Sequence, residues 1–415
     1  MCVGHIKQVR VVGSGSYSSV FADEDNAYKV LGRALGENTH TVLREGLLLK
    51  LGYGVGLSGL LTDYDGHLTG FALTRGICSL SGWHAKRPID VMQLQLWCHD
   101  ILNNMASLHA SNIIHGDIKP QNMIVFKNGS AALCDFGLSS LITDVPGGTT
   151  SSNDMFTLLY RPPELFYGGP WTVSKSLDIW AFGVSLFQLL FARTPFYENR
   201  KADEMIAFLD VNVPRDYDER LAKFSKNLRT CCCPEAEVFA EIMAKSLDRD
   251  ERPSAWALLQ LLKKPDKAQL IALDSLLPVQ PLQPFQHEIV DPDLKFTGEV
   301  KPINRQLCLN VAKLVLLPQE CLDSYVIACS SLYNILHKQC GEATGVRAVV
   351  ACAIAMYIYK TSDCLRIEWL SKMAGTSTAI INSQIEKCLV PAIQDPSWCE
   401  GIWCSFSAPL GPTYV

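Results

Sequence analysis

Residues 115–122, His-Gly-Asp-Ile-Lys-Pro-Gln-Asn, bring an acid, a lysine and an amide together in one short stretch. A second carboxylate, Asp135, follows thirteen residues after Asn122 and begins the tripeptide Asp-Phe-Gly. One carboxylate can orient an attacking hydroxyl group, while an amide and a second carboxylate can hold metal ions, which suits phosphoryl transfer. The alternative is a chance pattern in a polar loop. The position of Asp135 at this distance argues against chance.

The two motifs resemble the catalytic loop and the Asp-Phe-Gly motif of eukaryotic Ser/Thr protein kinases. The resemblance implies that Asp117 orients and deprotonates a substrate hydroxyl, and that Lys119 neutralises the phosphoryl group in transit. It also implies that Asn122 and Asp135 hold Mg²⁺. Lys119, with Thr157 near it, is the family's mark of Ser/Thr rather than Tyr specificity.

A turn with two glycines lies upstream between strand-like stretches, where backbone N–H groups can be offered to phosphate oxygens. Ser18 stands where the kinase pattern has a third glycine, and the alternative is an ordinary turn. A lysine on the following strand favours a nucleotide site, because the family's lysine there reaches the α- and β-phosphates of ATP. Val20 would cover the adenine. The residues predicted to bind ATP here are Gly13, Gly15, Val20, Ala27 and Lys29.

A predicted helix over residues 39–51 places Glu45 sixteen residues after Lys29. Glu45 would face Lys29 and orient it for ATP, and the alternative is a solvated glutamate on an exposed face. The helix resembles the Pro-Ser-Thr-Ala-Ile-Arg-Glu helix of cyclin-dependent kinases, which it matches at Thr41, Arg44 and Glu45.

Residues 157–164 resemble the end of an activation segment of the cyclin-dependent type. Asp178 begins a motif similar to the Asp-x-Trp-x-x-Gly helix of kinases, where a buried aspartate braces the catalytic loop. Arg252 is expected to pair with Glu164. The resemblance covers residues 5 to about 265 and implies a kinase N-lobe at 1–75 and a C-lobe at 76–265.

Gly116 departs from the family, because most relatives carry at this position an arginine that grips a phosphate on the activation segment. Alignment from Thr157 places Ser152 at the usual phosphorylated position, while Arg44 remains as a partner for phosphate. We therefore expect Ser152→Ala to cost little activity, and helix docking to act as the switch. A collapse of activity in Ser152→Ala would contradict this inference.

Five prolines mark a predicted linker at 266–300, and the pattern beyond it is helical. Five helices are predicted at 303–317, 319–338, 343–360, 366–374 and 377–391, the third of them apolar on all sides. The third helix ends in a lysine and resembles the third helix of a cyclin box, although Thr361 follows where cyclins often have glutamate. A generic helical bundle is the alternative for 301–400, and 401–415 is a tail. The predicted fold class is therefore α+β, a bilobal protein-kinase fold followed by an all-α cyclin-like domain.

Composition limits the other classes of function. The chain has 415 residues, 48% hydrophobic and 19% charged, with a net charge of −5 and no long basic run, which argues against a nucleic-acid or membrane partner. Its first ten residues do not resemble a signal peptide, and 16 scattered cysteines indicate reduced thiols in the cytoplasm or nucleus. The run Cys231-Cys232-Cys233 is read as part of a loop rather than as a metal or redox site.

These observations favour ATP- and Mg²⁺-dependent phosphorylation of Ser or Thr in protein substrates. The alternative is a binding module, either a pseudokinase or a cyclin-like decoy, although Lys29, Asp117, Asn122 and Asp135 are all intact. A cyclin-like domain tethered by about 35 residues would have an effective concentration near the millimolar range, so it could dock on the helix at 39–51. Docking within one chain and docking between two chains are both allowed.

Overall fold

A computed structural model describes most of the chain, in two compact units. One unit combines Met1–Arg75 with Pro278–Val415, and the other is Gly76–Leu277. The described residues are 8–14, 18–32, 35–86, 89–142, 156–165, 173–192, 194–195, 234–248, 251–262, 283–284, 287–291, 303–314, 317, 319–337, 344–359 and 367–399.

The first unit contains a seven-stranded sheet in the order β11-β1-β2-β3-β5-β4-β12, and every neighbouring pair is antiparallel. Val9, Tyr28, Leu61 and Ala72, each from a different strand of the sheet, pack together as a buried cluster. The strands are β1 (Gln8–Ser14), β2 (Ser18–Ala22), β3 (Asn26–Leu31), β4 (Leu57–Thr62), β5 (Leu68–Thr74), β11 (Gln283–Pro284) and β12 (Glu288–Val290).

Strands β11 and β12 lie inside the interval predicted as a linker, 266–300. They pair with β1 and β4 respectively, the outer strands of the N-terminal part of the sheet. Three residues separate Pro284 from Glu288, and a chain of this length spans about 14 Å at most. The sheet must therefore curl until its two edges are close, which its natural twist permits.

Five helices follow in the same unit, each within a few residues of its predicted position: α7 (Arg305–Leu314), α8 (Leu322–His337), α9 (Thr344–Tyr359), α10 (Ile367–Ala374) and α11 (Thr378–Gln394). Helix α9 is buried on all sides, as its uniformly apolar sequence predicted, since every residue from Ala348 to Ile358 is under 9% exposed. The Ser377 side chain accepts a hydrogen bond from the Ile380 N–H and caps the start of α11.

Helix α1 (Leu35–Lys50) completes the first unit; it begins four residues before the predicted helix at 39–51 and ends one residue earlier. The other unit is mainly helical, with short two- and three-stranded sheets around the catalytic stretch. Its elements are β6 (Cys78–Ser79), α2 (Leu80–His84), α3 (Val91–Ala110), β7 (Ile113–Ile114), β8 (Met123–Val125), β9 (Ala131–Leu133), β10 (Ser140–Leu141), α4 (Lys175–Phe191), α5 (Pro234–Ser246) and α6 (Ala255–Leu261). Within the described ranges, no helix has the length and apolar character needed to cross a membrane.

Candidate active site

The Asp117 carboxylate is the centre of a hydrogen-bond network in the loop that follows β7. It is 6% exposed, and each of its oxygens contacts two donor atoms. Oδ1 accepts hydrogen bonds from the Thr157 hydroxyl (2.8 Å) and the Thr157 N–H (3.2 Å). Oδ2 lies 2.6 Å from Lys119 Nζ and accepts from Asn122 Nδ2 at 3.0 Å. The carboxylate is thus held in one orientation, as positioning of a reacting hydroxyl requires.

Lys119 and Thr157 are also in direct contact, with Lys119 Nζ donating to Thr157 Oγ1 at 2.8 Å. Thr157 therefore connects the loop at residues 115–122 to residues 158–165, which follow it directly. The ammonium group is half-buried beside Asp117, where a cation could neutralise charge on a transferred phosphoryl group. The resemblance to Ser/Thr kinases implied this proximity of Lys119 and Thr157.

Asp135 follows the hairpin of β8 and β9. Its backbone adopts φ +65°, a left-handed conformation that costs a non-glycine residue about 1 kcal/mol and is concentrated at functional sites. The hairpin is tied to the catalytic loop because the Cys134 N–H donates to the Asn122 carbonyl at 2.9 Å. The side-chain nitrogen of Asn122 donates to Asp117. The side-chain oxygen of Asn122 and the Asp135 carboxylate are oxygen ligands of the type that Mg²⁺ prefers. Their assignment as metal ligands remains a prediction.

Asp178, in α4, braces the backbone of the catalytic loop and is fully buried. It accepts hydrogen bonds from the backbone N–H groups of His115 (2.7 Å) and Gly116 (3.0 Å), and its Oδ2 lies 3.0 Å from His109 Nε2. Burial alone would raise the pKa of Asp178. The hydrogen bond and charge of His109, with the charge of His115 and the Gly116 donor, outweigh burial and hold that pKa below its usual 3.8.

The stability of this unit should therefore depend on the charge of Asp178. Because the pKa is lower in the folded chain, the contribution is present above about pH 3.8 and is lost as pH falls through the folded value. We expect urea unfolding to show a free energy that falls less between pH 5 and 3 in Asp178→Asn than in the wild type. Equal acid sensitivity of the two proteins would contradict this, and Asp90→Asn, a conservative change at an exposed helix cap, serves as control.

His109 was not singled out from the sequence. Its signal was a polar residue on the face of helix α3 that otherwise carries Ile101, Met105 and Leu108, where it is 4% exposed. His115 has a related role at the other end of the loop, since its Nε2 lies 3.0 Å from the Cys134 carbonyl and its ring packs on Phe136 with centroids 5.1 Å apart. Together these histidines join the loop to α4 and to the Asp135 hairpin.

Gly116 has φ +77°, a conformation that glycine adopts without strain. Its N–H binds Asp178, and its carbonyl accepts from the Phe156 N–H at 3.1 Å. The family's arginine is therefore absent at a position where the backbone itself favours glycine. Ser152, the predicted phosphorylation position, lies outside the described residues.

We expect Gly116→Ala to lower the free energy of unfolding by about 1–2 kcal/mol, because any side chain is strained at this φ. Chemical denaturation of the full chain measures the effect. Gly82→Ala in α2 is the matched control, since Gly82 has an ordinary helical backbone and a Cβ there would meet atoms no closer than 3.5 Å. A Gly116→Ala protein as stable as the wild type would contradict this prediction, because it would show that the backbone at residue 116 can leave the left-handed conformation without cost.

Arg252 and Glu164 form the expected ion pair. Two nitrogens of the guanidinium donate to the two carboxylate oxygens at 2.6 and 3.0 Å, and the group also lies 4.8 Å from the ring centre of Trp180. The geometry is bidentate, the strongest arrangement for this pair, and it fixes the segment that carries Thr157.

In the first unit, the predicted ATP-binding residues of the hairpin share one face of the sheet. Gly13 pairs with Val20, and Val20 pairs with Lys29 on the next strand, so the three lie in a cross-strand row. Ala27 precedes Lys29 by two residues and therefore has the same orientation. Gly15 lies outside the described residues. Roles in ATP binding for all five remain predictions.

Lys29 and Glu45 are in contact, with Nζ 2.6 Å from Oε1 and side chains 11% and 3% exposed. Burial rules out the alternative of a solvated glutamate on an exposed face. Such a pair requires α1 to be held with Glu45 facing β3, and the predicted role of Lys29 in holding a phosphate depends on that orientation.

Helices α9 and α11 pack on α1, and α11 also contacts strand β5 of the sheet. Arg44 donates from Nε to the carbonyl of Tyr357 at 3.0 Å, in the last turn of α9, where carbonyls have no partner in the helix. Burial lowers the pKa of Arg44 to about 10, and it stays charged at pH 7. Gly46 lets α11 approach closely, because a Cβ there would lie 2.5 Å from Ile393 Cδ1. Lys360, at the end of the predicted third helix, lies outside the described residues.

Residues 75–263 match the family described as Protein kinase domain. Cyclin-dependent kinase 20 of Rattus norvegicus is 35% identical over 107 residues, 26% of this chain and 30% of the relative. Cyclin-dependent kinase 14 of Xenopus laevis is 29% identical over 197 residues, 44% of each chain, and protein kinase gsk3 of Schizosaccharomyces pombe is 25% identical over 221 residues, 52% and 54%. The chain spans about a third of the cyclin-dependent kinase 20 relatives. Residues 75–263 are therefore similar to protein kinase domains, and the relatives with similar stretches include proteins named as cyclin-dependent kinases.

Proposed function

We propose that this chain is a Ser/Thr protein kinase that transfers the γ-phosphoryl group of ATP to hydroxyl groups of protein substrates. The observation that carries the proposal is the Asp117 carboxylate, fixed by Lys119, Thr157 and Asn122 in a buried network. A substrate hydroxyl beside Asp117 would be oriented by it and would pass its proton to it. Lys119 would stabilise negative charge on the group in transit.

ATP and Mg²⁺ are the cofactors that this proposal requires. Asn122 and Asp135 would hold the metal, and Lys29, kept in place by Glu45, would hold the phosphates. Bound Mg²⁺ would neutralise phosphate charge and align the transferred group. The protein's own contribution is therefore positioning and charge stabilisation rather than covalent chemistry.

The test is phosphorylation of a generic Ser/Thr protein substrate with Mg-ATP by the full chain, alongside Asp135→Asn. We expect labelling by the wild type and a loss of labelling in the variant, whereas equal labelling by both would end the assignment. Thermal unfolding with and without Mg-ATP separates this function from that of an ATP-blind binding module, which would show no stabilisation.

The helices α7–α11 would act as a cyclin-like activator within the same chain. Three contacts or packing features support this: the Arg44–Tyr357 hydrogen bond, the close packing of Gly46 on Ile393, and the Lys29–Glu45 pair on the same helix. Docking in cis would keep Glu45 turned toward Lys29 without a phosphate on the activation segment. Without this docking in cis, a cyclin-like activator would have to be supplied by a second chain.

A further inference from the structure

Three cysteines from three different helices meet in the interior of the α7–α11 domain. Cys308 on α7, Cys329 on α8 and Cys352 on α9 are all fully buried, and their sulfur atoms lie within 4.8 Å of one another. The sulfurs of Cys308 and Cys352 are 3.7 Å apart. All three are free thiols.

This spacing matches the distance between thiolates on a shared metal ion. A metal–sulfur bond of about 2.3 Å places ligand sulfurs about 3.8–4.0 Å apart in tetrahedral or trigonal geometry. A disulfide needs about 2.05 Å, much shorter than the observed 3.7 Å separation. A small inward movement of three side chains would therefore complete a coordination triangle.

A buried polar group also lies beside the cluster. The Tyr325 hydroxyl, itself fully buried, donates to the Cys352 carbonyl at 3.0 Å and so joins α8 to the backbone that carries one of the three thiols. A polar group beside metal ligands is the usual second contact that orients them.

We infer that Cys308, Cys329 and Cys352 form a binding site for a soft thiophilic metal ion, with Zn²⁺ as the favoured occupant. An all-sulfur set selects Zn²⁺ or Cu⁺ over Mg²⁺ or Ca²⁺. Three thiolates with Zn²⁺ carry one net negative charge, and with Cu⁺ they carry two. Because buried charge is costly, the smaller charge favours Zn²⁺. Binding displaces three thiol protons to solvent and joins α7, α8 and α9 at one point. The ion would stabilise the helix that receives Arg44.

The experiment uses the full chain, treated with chelator and then titrated with Zn²⁺, with Co²⁺ as a coloured probe and Cu⁺ as a competitor. We expect one equivalent of Zn²⁺, a sulfur-to-cobalt charge-transfer band, and a rise of about 5 °C or more in the melting temperature. The band should disappear in Cys329→Ser and persist in Cys388→Ala, a buried cysteine of the same unit outside the cluster.

The wild-type titration alone decides the matter if a variant fails to fold. Absence of the cobalt band, or a melting temperature unchanged by Zn²⁺, would overturn the site. Full metal binding by Cys329→Ser would assign the ion to other residues and would also overturn it. Displacement of Zn²⁺ by stoichiometric Cu⁺ would keep the site and change its occupant. None of these readouts depends on kinase activity.

Discussion

Replacing Asp117 with asparagine should lower kcat for substrate phosphorylation by about 10²–10⁴-fold. Asparagine keeps the shape of the side chain but lacks the charge that can accept the substrate proton. One of its ends must also present an N–H group, either to Thr157 or to Lys119 and Asn122, which are all donors at present. The loss should therefore appear in kcat with Mg-ATP, with a smaller change in KM.

Asp90→Asn is the control, because this exposed carboxylate caps α3 and asparagine caps a helix equally well. It should retain wild-type activity and stability. A melting temperature for Asp117→Asn near that of the wild type would show that the loss of kcat comes from the missing carboxylate and not from unfolding. If Asp117→Asn retained more than about a tenth of wild-type kcat, a role as general base would be excluded.

Replacing Arg44 with alanine should lower kcat/KM by about 10–100-fold. The change leaves the Tyr357 carbonyl without its charged donor, at a cost of about 1–3 kcal/mol to the packing of α9 on α1. A looser α1 lets Glu45 turn away from Lys29, so the loss reaches the predicted ATP-binding residues. Arg44→Lys should recover little, because an ammonium group cannot reproduce the geometry of the guanidinium Nε–H.

Arg305→Ala provides a matched arginine control in the same unit. Its ion pair with Asp323 is solvent-exposed, at 63% and 81%, and should contribute little. Hydrogen exchange over residues 344–359 reports the packing independently of activity. Full activity and unchanged exchange in Arg44→Ala would refute the idea that the C-terminal helices hold α1 in place.

The structure departs from the sequence analysis where strand pairing is decided at long range. Within the glycine-rich stretch at 53–80, residues 68–75 are predicted as the last strand of the small lobe and contain β5, whereas β4 has no signal in the sequence. Strands β11 and β12 were predicted as linker, because two or three residues beside prolines carry no periodicity. They are strands because they meet the free edges of a curled sheet. No local propensity could have indicated those partners.

The sequence by itself determined the motif at residues 115–122, the Glu164–Arg252 pair and the five C-terminal helices. These depend on residue types at short, constant separations, where backbone geometry leaves few alternatives. Residues 115–122 belong to this class. The structure adds that the backbone at position 116 adopts a conformation that favours glycine. The tertiary structure alone decided that Arg44 binds a carbonyl 313 residues away, and that three scattered cysteines converge. Contacts at such separations depend on how the faces of helices pack, and spacing along the chain does not encode that.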